Sequence, residues 1–314
     1  MMIIFEAKDS LDKLKSKNQI EKSCKVVEDM AKTLNSIIDN SYWGERHSYK
    51  KYNGLLWGST SLSSNESIQE VFRIYSKELN RIESIIDNTV LVNGTKEAEM
   101  VKLLENTYRH VNIALINELA MLCKMLDIDI WEVVNAAKTK PFGFESFKPG
   151  PGVGGHCIPV DPEYLSFKTR QIGKPVRFVE LAQEINNSMP SYVVKQVNEI
   201  LNNNKKILNN SKILLMGVAY KKDISDMRES PAIDIAELLL DKNVDLSYYD
   251  PHVEDFKVSN TSINKETRSE SFDNYDMILV LTPHSDFMSL EFDKLKTIIF
   301  DTTGSDFIDS TERI

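Results

Sequence analysis

Cysteine is scarce in this chain of 314 residues, which contains only Cys24, Cys123 and Cys157. An odd and sparse set of cysteines excludes a disulfide framework and indicates a reducing compartment, so we expect a cytoplasmic protein. Uninterrupted apolar runs of the roughly 18 residues that span a bilayer are also lacking, and the N-terminus becomes charged too early for a secretory signal. The formal net charge is -9. We therefore expect neither nucleic acid nor an anionic membrane as the main partner.

Two local patterns are missing as well. The five histidines show no metal-ligand spacing, so the sequence predicts no metal site. No glycine precedes Gly44, so the first residues lack the glycine-rich turn with which a dinucleotide-binding strand–helix unit begins.

The composition that is present, 41% hydrophobic and 27% charged, is typical of a globular protein, and the length allows about two domains. Local residue patterns predict a short strand over residues 55–60, a helix over 64–80 and a second strand over 89–92. Together they indicate one strand–helix–strand unit.

The strongest helical pattern covers residues 95–126. Apolar residues recur there at steps of three and four, which predicts a helix roughly 48 Å long. A second apolar stripe contains Ile113, Ile116, Ala120 and Cys123. A helix that is apolar on two sides is expected to lie between two bodies or two subunits. Shorter helices are predicted over 130–137, 176–187 and 191–201, the last two separated by Pro190.

From Ser211 onward, strands and helices alternate. Strands are predicted over 212–219, 244–249, 276–281 and 297–300, with a helix over 231–240 that starts from a Ser230 cap. This alternation favours an open α/β sheet. The segment 217–231 runs from a strand end to a helix start, where doubly wound sheets bind ligands, and its cations suit a phosphate. The alternative is a charged surface loop.

The segment 148–162 packs four glycines and four prolines around Cys157. A small buried hydrophobe is the expected role of Cys24 and Cys123, but this loop favours a reactive thiol at Cys157. Asp161 is either a turn carboxylate or a group that activates a water beside the thiol.

The glycines Gly150, Gly152, Gly154 and Gly155 resemble a phosphate-binding loop only superficially. They follow no apolar strand and open no convincing helix, so we expect them to let backbone amides approach a substrate. Lys102 and Asn106, four residues apart on the long helix, project from one face, which is either solvated or functional.

Four stretches resemble the UDP-sugar 6-dehydrogenases of the UDP-glucose/GDP-mannose dehydrogenase family: residues 95–106, 112–120, 148–162 and 217–231. The loop through Cys157 is most similar to the branch that oxidises UDP-N-acetylhexosamines. The resemblance covers about residues 54–305. It implies an α/β protein with a truncated Rossmann remnant over 1–92, a central helical domain over 93–204 and a Rossmann-like UDP-sugar domain over 205–314.

The family oxidises the sugar C6 alcohol to a carboxylate with two NAD, a step toward surface polysaccharide precursors. By resemblance, Cys157 forms a thiohemiacetal and then a thioester. Lys102 and Asn106 stabilise the oxyanion, and Asp161 with Lys102 handles the hydrolytic water. A homodimer through the long helix is also implied.

The resemblance also assigns binding roles. Lys148 and the four loop glycines contact the sugar and phosphate, Tyr220 and Lys221 contact the nucleotide-sugar, and Arg228 reaches the NAD pyrophosphate.

Two departures from the family pattern leave alternatives open. The glycine fingerprint of the NAD domain is missing, and Thr303 stands where many relatives carry a substrate-binding arginine. The chain is therefore expected to be either an enzyme with a reduced cofactor half or a non-catalytic, dimerising UDP-sugar-binding module. A weaker possibility is a thiol hydrolase that uses only Cys157 and Asp161.

Overall fold

The computed structural model describes residues 4–5, 91–92 and 95–314, except Asp309. These residues divide into two compact units between Lys102 and Leu103. In the first unit, β1 (Ile4–Phe5) pairs in parallel with β2 (Leu91–Val92), which lies within the strand predicted over 89–92. The strand predicted over 55–60 and the helix predicted over 64–80 lie outside the described residues.

The predicted long helix is present as α1 (Thr95–Met125). Its second apolar stripe enters the core, where Ile116, Ala120 and Cys123 are buried. Its main stripe is exposed on the surface of the single chain, at Leu104, Tyr108, Leu115, Leu119 and Leu122. The helix α2 (Ile130–Ala137) follows, with Asp129 as its N-cap.

The segment after the glycine-rich loop differs from the prediction in two ways. The loop does open a helix, α3 (Val160–Gln171), whose first turn contains Pro162. Proline is favourable there because the first helical N–H groups have no partner within the helix. The two helices predicted on either side of Pro190 are one helix, α4 (Arg177–Asn203).

Burial explains why α4 continues through Pro190. A proline inside a helix costs about 3 kcal/mol, because it removes one hydrogen bond and crowds the preceding turn. Met189, Val193 and Val197, on both sides of the proline, are completely buried. Burying each such side chain contributes about 1.5–3 kcal/mol, which together outweighs the cost.

The elements of the C-terminal part are β3 (Lys212–Met216), α5 (Pro231–Leu240), β4 (Asp245–Tyr249), β7 (Asn264–Lys265), β8 (Met277–Val280), β9 (Ile298–Asp301) and β10 (Glu312–Arg313). The six strands among them form a parallel sheet in the order β10-β9-β8-β3-β4-β7, which confirms the predicted α/β class. A small antiparallel pair, β5 (Lys257–Val258) and β6 (Thr261–Ser262), precedes β7. Renumbered along the chain, the six strands follow the doubly wound order 3-2-1-4-5-6.

This order places a ligand crevice at the carboxyl ends of β3 and β8, where the winding direction reverses. Leu215 of β3 is in register with Tyr248 of β4 on one side and Leu279 of β8 on the other. The connection 217–230, called the β3 loop below, therefore opens into the crevice. Ser230 caps α5 as predicted, with Pro231 in the first turn.

Within the described ranges, no helix combines the length and apolar character needed to cross a bilayer.

Candidate functional site

Cys157 lies in the loop that leads into α3, and its side chain is partly accessible. The backbone N–H of Asp161 donates to the carbonyl oxygen of Cys157 over 2.9 Å, so the carboxylate is held one turn from the thiol. Cys123 is buried, as expected of a structural cysteine, and Cys24 lies outside the described residues.

Asn106 and Asp161, 55 positions apart in sequence, are in contact. The side-chain amide of Asn106 donates to Oδ2 of Asp161, and its carbonyl oxygen accepts from the guanidinium of Arg109. Asn106 is 1% exposed, so the solvated-face alternative does not hold for it. An amide nitrogen has two hydrogens, and this contact uses one of them.

Arg109 is a site residue that the sequence reasoning missed. Its spacing of three from Asn106 put it on the same helix face, which was the available signal. Lys102 lies one turn before Asn106 on α1 but belongs to the other compact unit, so its position beside the thiol stays a prediction.

A buried amide network holds the start of the glycine-rich loop. The side-chain oxygen of Asn117 accepts from the N–H of Gly150 over 3.0 Å. Its amide donates to the side-chain oxygen of Asn186 over 3.0 Å, and Asn186 in turn donates to the carbonyl of His110 over 3.1 Å. Burial lowers the pKa of His110 from 6.5 to about 4. The network therefore joins α1, α4 and the loop through uncharged groups.

The end of the glycine-rich loop is joined to the β3 loop, and we call this contact the seam. The N–H of Gly155 donates to the carbonyl of Arg228 over 3.1 Å. A Cβ at Gly154 would lie 2.7 Å from Cβ of Tyr220, and one at Gly155, whose φ is +91°, would lie 2.7 Å from Cε2 of the same ring. Tyr220 of the chain itself therefore packs closely against these two glycines, and their predicted approach to a substrate stays a prediction.

Arg228 carries a positive charge at the seam. The pKa of Arg228 is raised, mainly by its side-chain hydrogen bonds with Asp226 and by the negative charge of that carboxylate. The guanidinium is exposed and makes a 2.7 Å contact with Oδ2 of Asp226.

The remaining predicted binding residues lie around these loops. The ammonium of Lys148 lies over the ring of Trp131, 5.9 Å from its centroid, and is exposed. A Cβ at Gly152 would lie 3.0 Å from Cγ of Pro231, so this glycine also permits close packing on α5. Lys221 is exposed on the β3 loop.

NAD has little to bind among the described residues. The one predicted contact there, Arg228, is exposed and already paired with Asp226. A single paired cation does not make a dinucleotide site. The chemistry that these residues support directly is that of a thiol, a carboxamide and a carboxylate arranged for acyl transfer.

Two family models match the chain. The central domain of the UDP-glucose/GDP-mannose dehydrogenase family matches residues 96–188, and the UDP binding domain of that family matches residues 214–309.

Curated relatives and solved structures agree with these matches. The UDP-N-acetyl-D-mannosamine dehydrogenase of Methanococcus vannielii is 34% identical over 78% of this chain and 52% of its own length, and that of Campylobacter jejuni is 35% identical over 67% and 51%. The solved UDP-N-acetyl-mannosamine dehydrogenase from Staphylococcus aureus is 35% identical, with a TM-score of 0.59, over 79% of this chain and 54% of that one. The chain thus spans about half the length of the curated relatives it matches.

Proposed function

The chain belongs to the UDP-glucose/GDP-mannose dehydrogenase family, and from this premise we propose that it contributes the thiol and nucleotide-sugar sites of a UDP-N-acetylhexosamine 6-dehydrogenase. The names of the relatives favour UDP-N-acetylmannosamine as the substrate. The observation that carries the proposal is the contact of Asn106 with Asp161, one helical turn from Cys157.

The proposed domains are a cofactor remnant over 1–92, a central helical domain over 93–204 and a UDP-sugar domain over 205–314. The β3 loop at the crevice of the sheet supports the last assignment. Tyr220 and Lys221 would meet the nucleotide-sugar there, and the seam would keep its sugar end near Cys157.

Each proposed step belongs to a named atom of this chain. Sγ of Cys157 adds to the C6 aldehyde carbon, and the amide of Asn106 donates to the oxygen that becomes negative. After oxidation to the thioester, a water held by Asp161 attacks the carbonyl carbon. The C–S bond then breaks, which yields the carboxylate and restores the thiol. Lys102 would assist at the oxyanion and at the water. NAD, when bound, would accept one hydride in the oxidation of the C6 alcohol to the aldehyde, and a second NAD would accept one in the oxidation of the thiohemiacetal to the thioester.

Protection of the thiol tests the substrate assignment without requiring turnover. UDP-N-acetylmannosamine should slow alkylation of Cys157 by iodoacetamide, and UDP-glucose should protect it less. The buried Cys123 is an internal control for unfolding. Equal alkylation rates with and without the sugar nucleotide would remove the proposed site.

Reduction of NAD distinguishes an enzyme from a non-catalytic binding module. We expect weak or no turnover of UDP-N-acetylmannosamine by this chain alone, because the sequence lacks the glycine-rich turn typical of the family's NAD-binding domain. Robust turnover that is lost in Cys157→Ser would contradict this expectation and establish a complete enzyme. Protection without turnover would identify a UDP-sugar-binding module.

The exposed stripe of α1 supports a homodimer. Leu104 is 64% exposed and Leu115 and Leu122 are each 49% exposed, although all three lie on one apolar line along the helix. A second copy of α1 would cover this line. Sedimentation should report a dimer, and a monomer at micromolar concentration would exclude this interface.

A further inference from the structure

A buried carboxylate at the end of β4 holds the start of the β3 loop. Asp250 is 1% exposed, and its Oδ2 accepts the N–H groups of Val218 over 2.7 Å and Ala219 over 3.2 Å. Its Oδ1 accepts those of His252 over 2.8 Å and Val253 over 3.1 Å. Burial alone would raise the pKa of Asp250, but the hydrogen bonds that it accepts from the side chain of His284 and from the backbone of His252 and Val218 outweigh burial and lower the pKa. Asp250 therefore ties the start of the β3 loop to the segment that follows β4.

His284, from the segment that follows β8, extends this network to the middle of the β3 loop. The imidazole is completely buried. Its Nε2 lies 3.1 Å from Oδ2 of Asp250, and its Nδ1 lies 2.9 Å from the backbone nitrogen of Asp223, which can only donate. Nδ1 is therefore the acceptor in the contact with Asp223, and Nε2 carries the proton that faces Asp250. Asp250 selects this tautomer, which leaves Nδ1 as the acceptor for Asp223.

Asp223 needs this support because its backbone has a φ of +61°, in the left-handed region that non-glycine residues rarely adopt. Its carboxylate is also anchored, since it accepts the N–H and the hydroxyl of Ser285, each over 2.7 Å. Hydrogen bonds thus fix the backbone of the loop at Ala219 and again at Asp223. Tyr220 and Lys221 lie between these two positions.

A metal site would be another explanation for this group of side chains, but it fits less well than hydrogen bonding. Asp223, His252 and His284 bring three ligand atoms within 4.8 Å of one another. Both ring nitrogens of His284 are already used in hydrogen bonds. An ion on Nδ1 would have to displace the N–H of Asp223, which would release the loop that the ring holds.

We propose that His284, oriented by Asp250, is a positioning residue for nucleotide-sugar binding, because it holds the N–H of Asp223 and so fixes the path of Tyr220 and Lys221. This role rests on the proposed function of the β3 loop as a UDP-sugar site. His284 does not itself touch the substrate and acts only through the backbone of Asp223.

A matched pair of substitutions in the full chain separates positioning from packing. His284→Asn places a side-chain oxygen near the position of Nδ1 and keeps an acceptor for Asp223. His284→Gln reaches toward the position of Nε2 and keeps the contact with Asp250, but removes the acceptor of the N–H of Asp223. Both substitutions remove the ring, so both should lower the thermal midpoint.

Two measurements read out the role: calorimetric titration with UDP, and hydrogen exchange at the amide of Asp223. We expect His284→Gln to weaken UDP binding about tenfold and to speed the exchange, as a lost buried acceptor predicts. His284→Asn should stay within about threefold of the unsubstituted chain in affinity and keep the slow exchange.

Unchanged affinity in His284→Gln would overturn the positioning role, and so would equal weakening in both variants, since that result indicates a packing effect. Absence of UDP binding by the unsubstituted chain is a different failure. It would overturn the proposed function, and the positioning role with it.

Discussion

Acidification should destabilise this chain through His110, which lies 1% exposed beneath the amide network that holds the glycine-rich loop. Burial lowers the pKa of His110 from 6.5 to about 4. Between these values the unfolded chain binds a proton that the folded chain does not. The stability contributed by the neutral ring is therefore complete above pH 6.5 and is lost as the pH falls toward 4.

The size of the effect follows from the two pKa values. A pH of 5 lies about 1.5 pH units below the pKa of histidine in the unfolded chain. At 1.36 kcal/mol per unit, protonation therefore stabilises the unfolded state by about 2 kcal/mol relative to the folded state. Other groups titrate in the same range, so the useful quantity is a difference between two proteins. His110→Gln keeps a polar side chain but cannot be protonated.

Urea unfolding at pH 8 and pH 5 measures this difference. The free energy of unfolding should fall by about 2 kcal/mol more in the unsubstituted chain than in His110→Gln. The difference between the two proteins at pH 8 is the control, because it measures the effect of the substitution without protonation of the His110 ring. Equal pH dependence in the unsubstituted chain and His110→Gln would refute the reasoning.

Three further predictions test the nucleotide-sugar site, the amide network and the exposed stripe of α1 separately. Lys221→Ala should weaken UDP binding about tenfold by calorimetry, whereas the neighbouring Lys222→Ala should change it less; equal losses would indicate only a general charge effect. Asn117→Ala leaves the partly buried N–H of Gly150 without its acceptor and should lower the free energy of unfolding by about 1–3 kcal/mol, a loss that urea titration would either find or exclude. Leu119→Glu on the exposed stripe of α1 should convert a dimer to a monomer in sedimentation, and a persisting dimer would place the interface elsewhere.

The sequence was most informative where one period or one motif decides the structure. The steps of three and four through α1 predicted its length to within one residue. The apolar run over 212–219 located β3, and the serine–proline pair at 230–231 located the start of α5. Such signals are local, because each depends on residues within a few turns of one another.

The errors in local structure have equally local causes. Pro190 predicts a break between two helices, because proline usually ends a helix. Completely buried side chains on both sides of it hold α4 together instead. The start of α3 was missed although Pro162 lies in its first turn, where proline is favourable.

The hydrogen-bond networks could not be predicted because their members are far apart in sequence. Asn117 and Asn186 are 69 positions apart, and Asp250 and His284 are 34 apart. A buried amide or imidazole in a sequence does not reveal its partner until the helices and strands are packed. The family resemblance gave Asn106 and Asp161 roles in one reaction, but it did not predict their direct hydrogen bond.

The seam has a consequence for protein engineering. Tyr220 occupies the space that any side chain at Gly154 or Gly155 would need, and the same glycine-rich segment is fastened to the backbone of Arg228. A chimera that grafts the helices of this chain onto the sheet of a relative must therefore transfer both sides of the joint. Exchanging one side alone would disturb the packing of the aromatic ring on the glycines, and with it the position of the loop that contains Cys157.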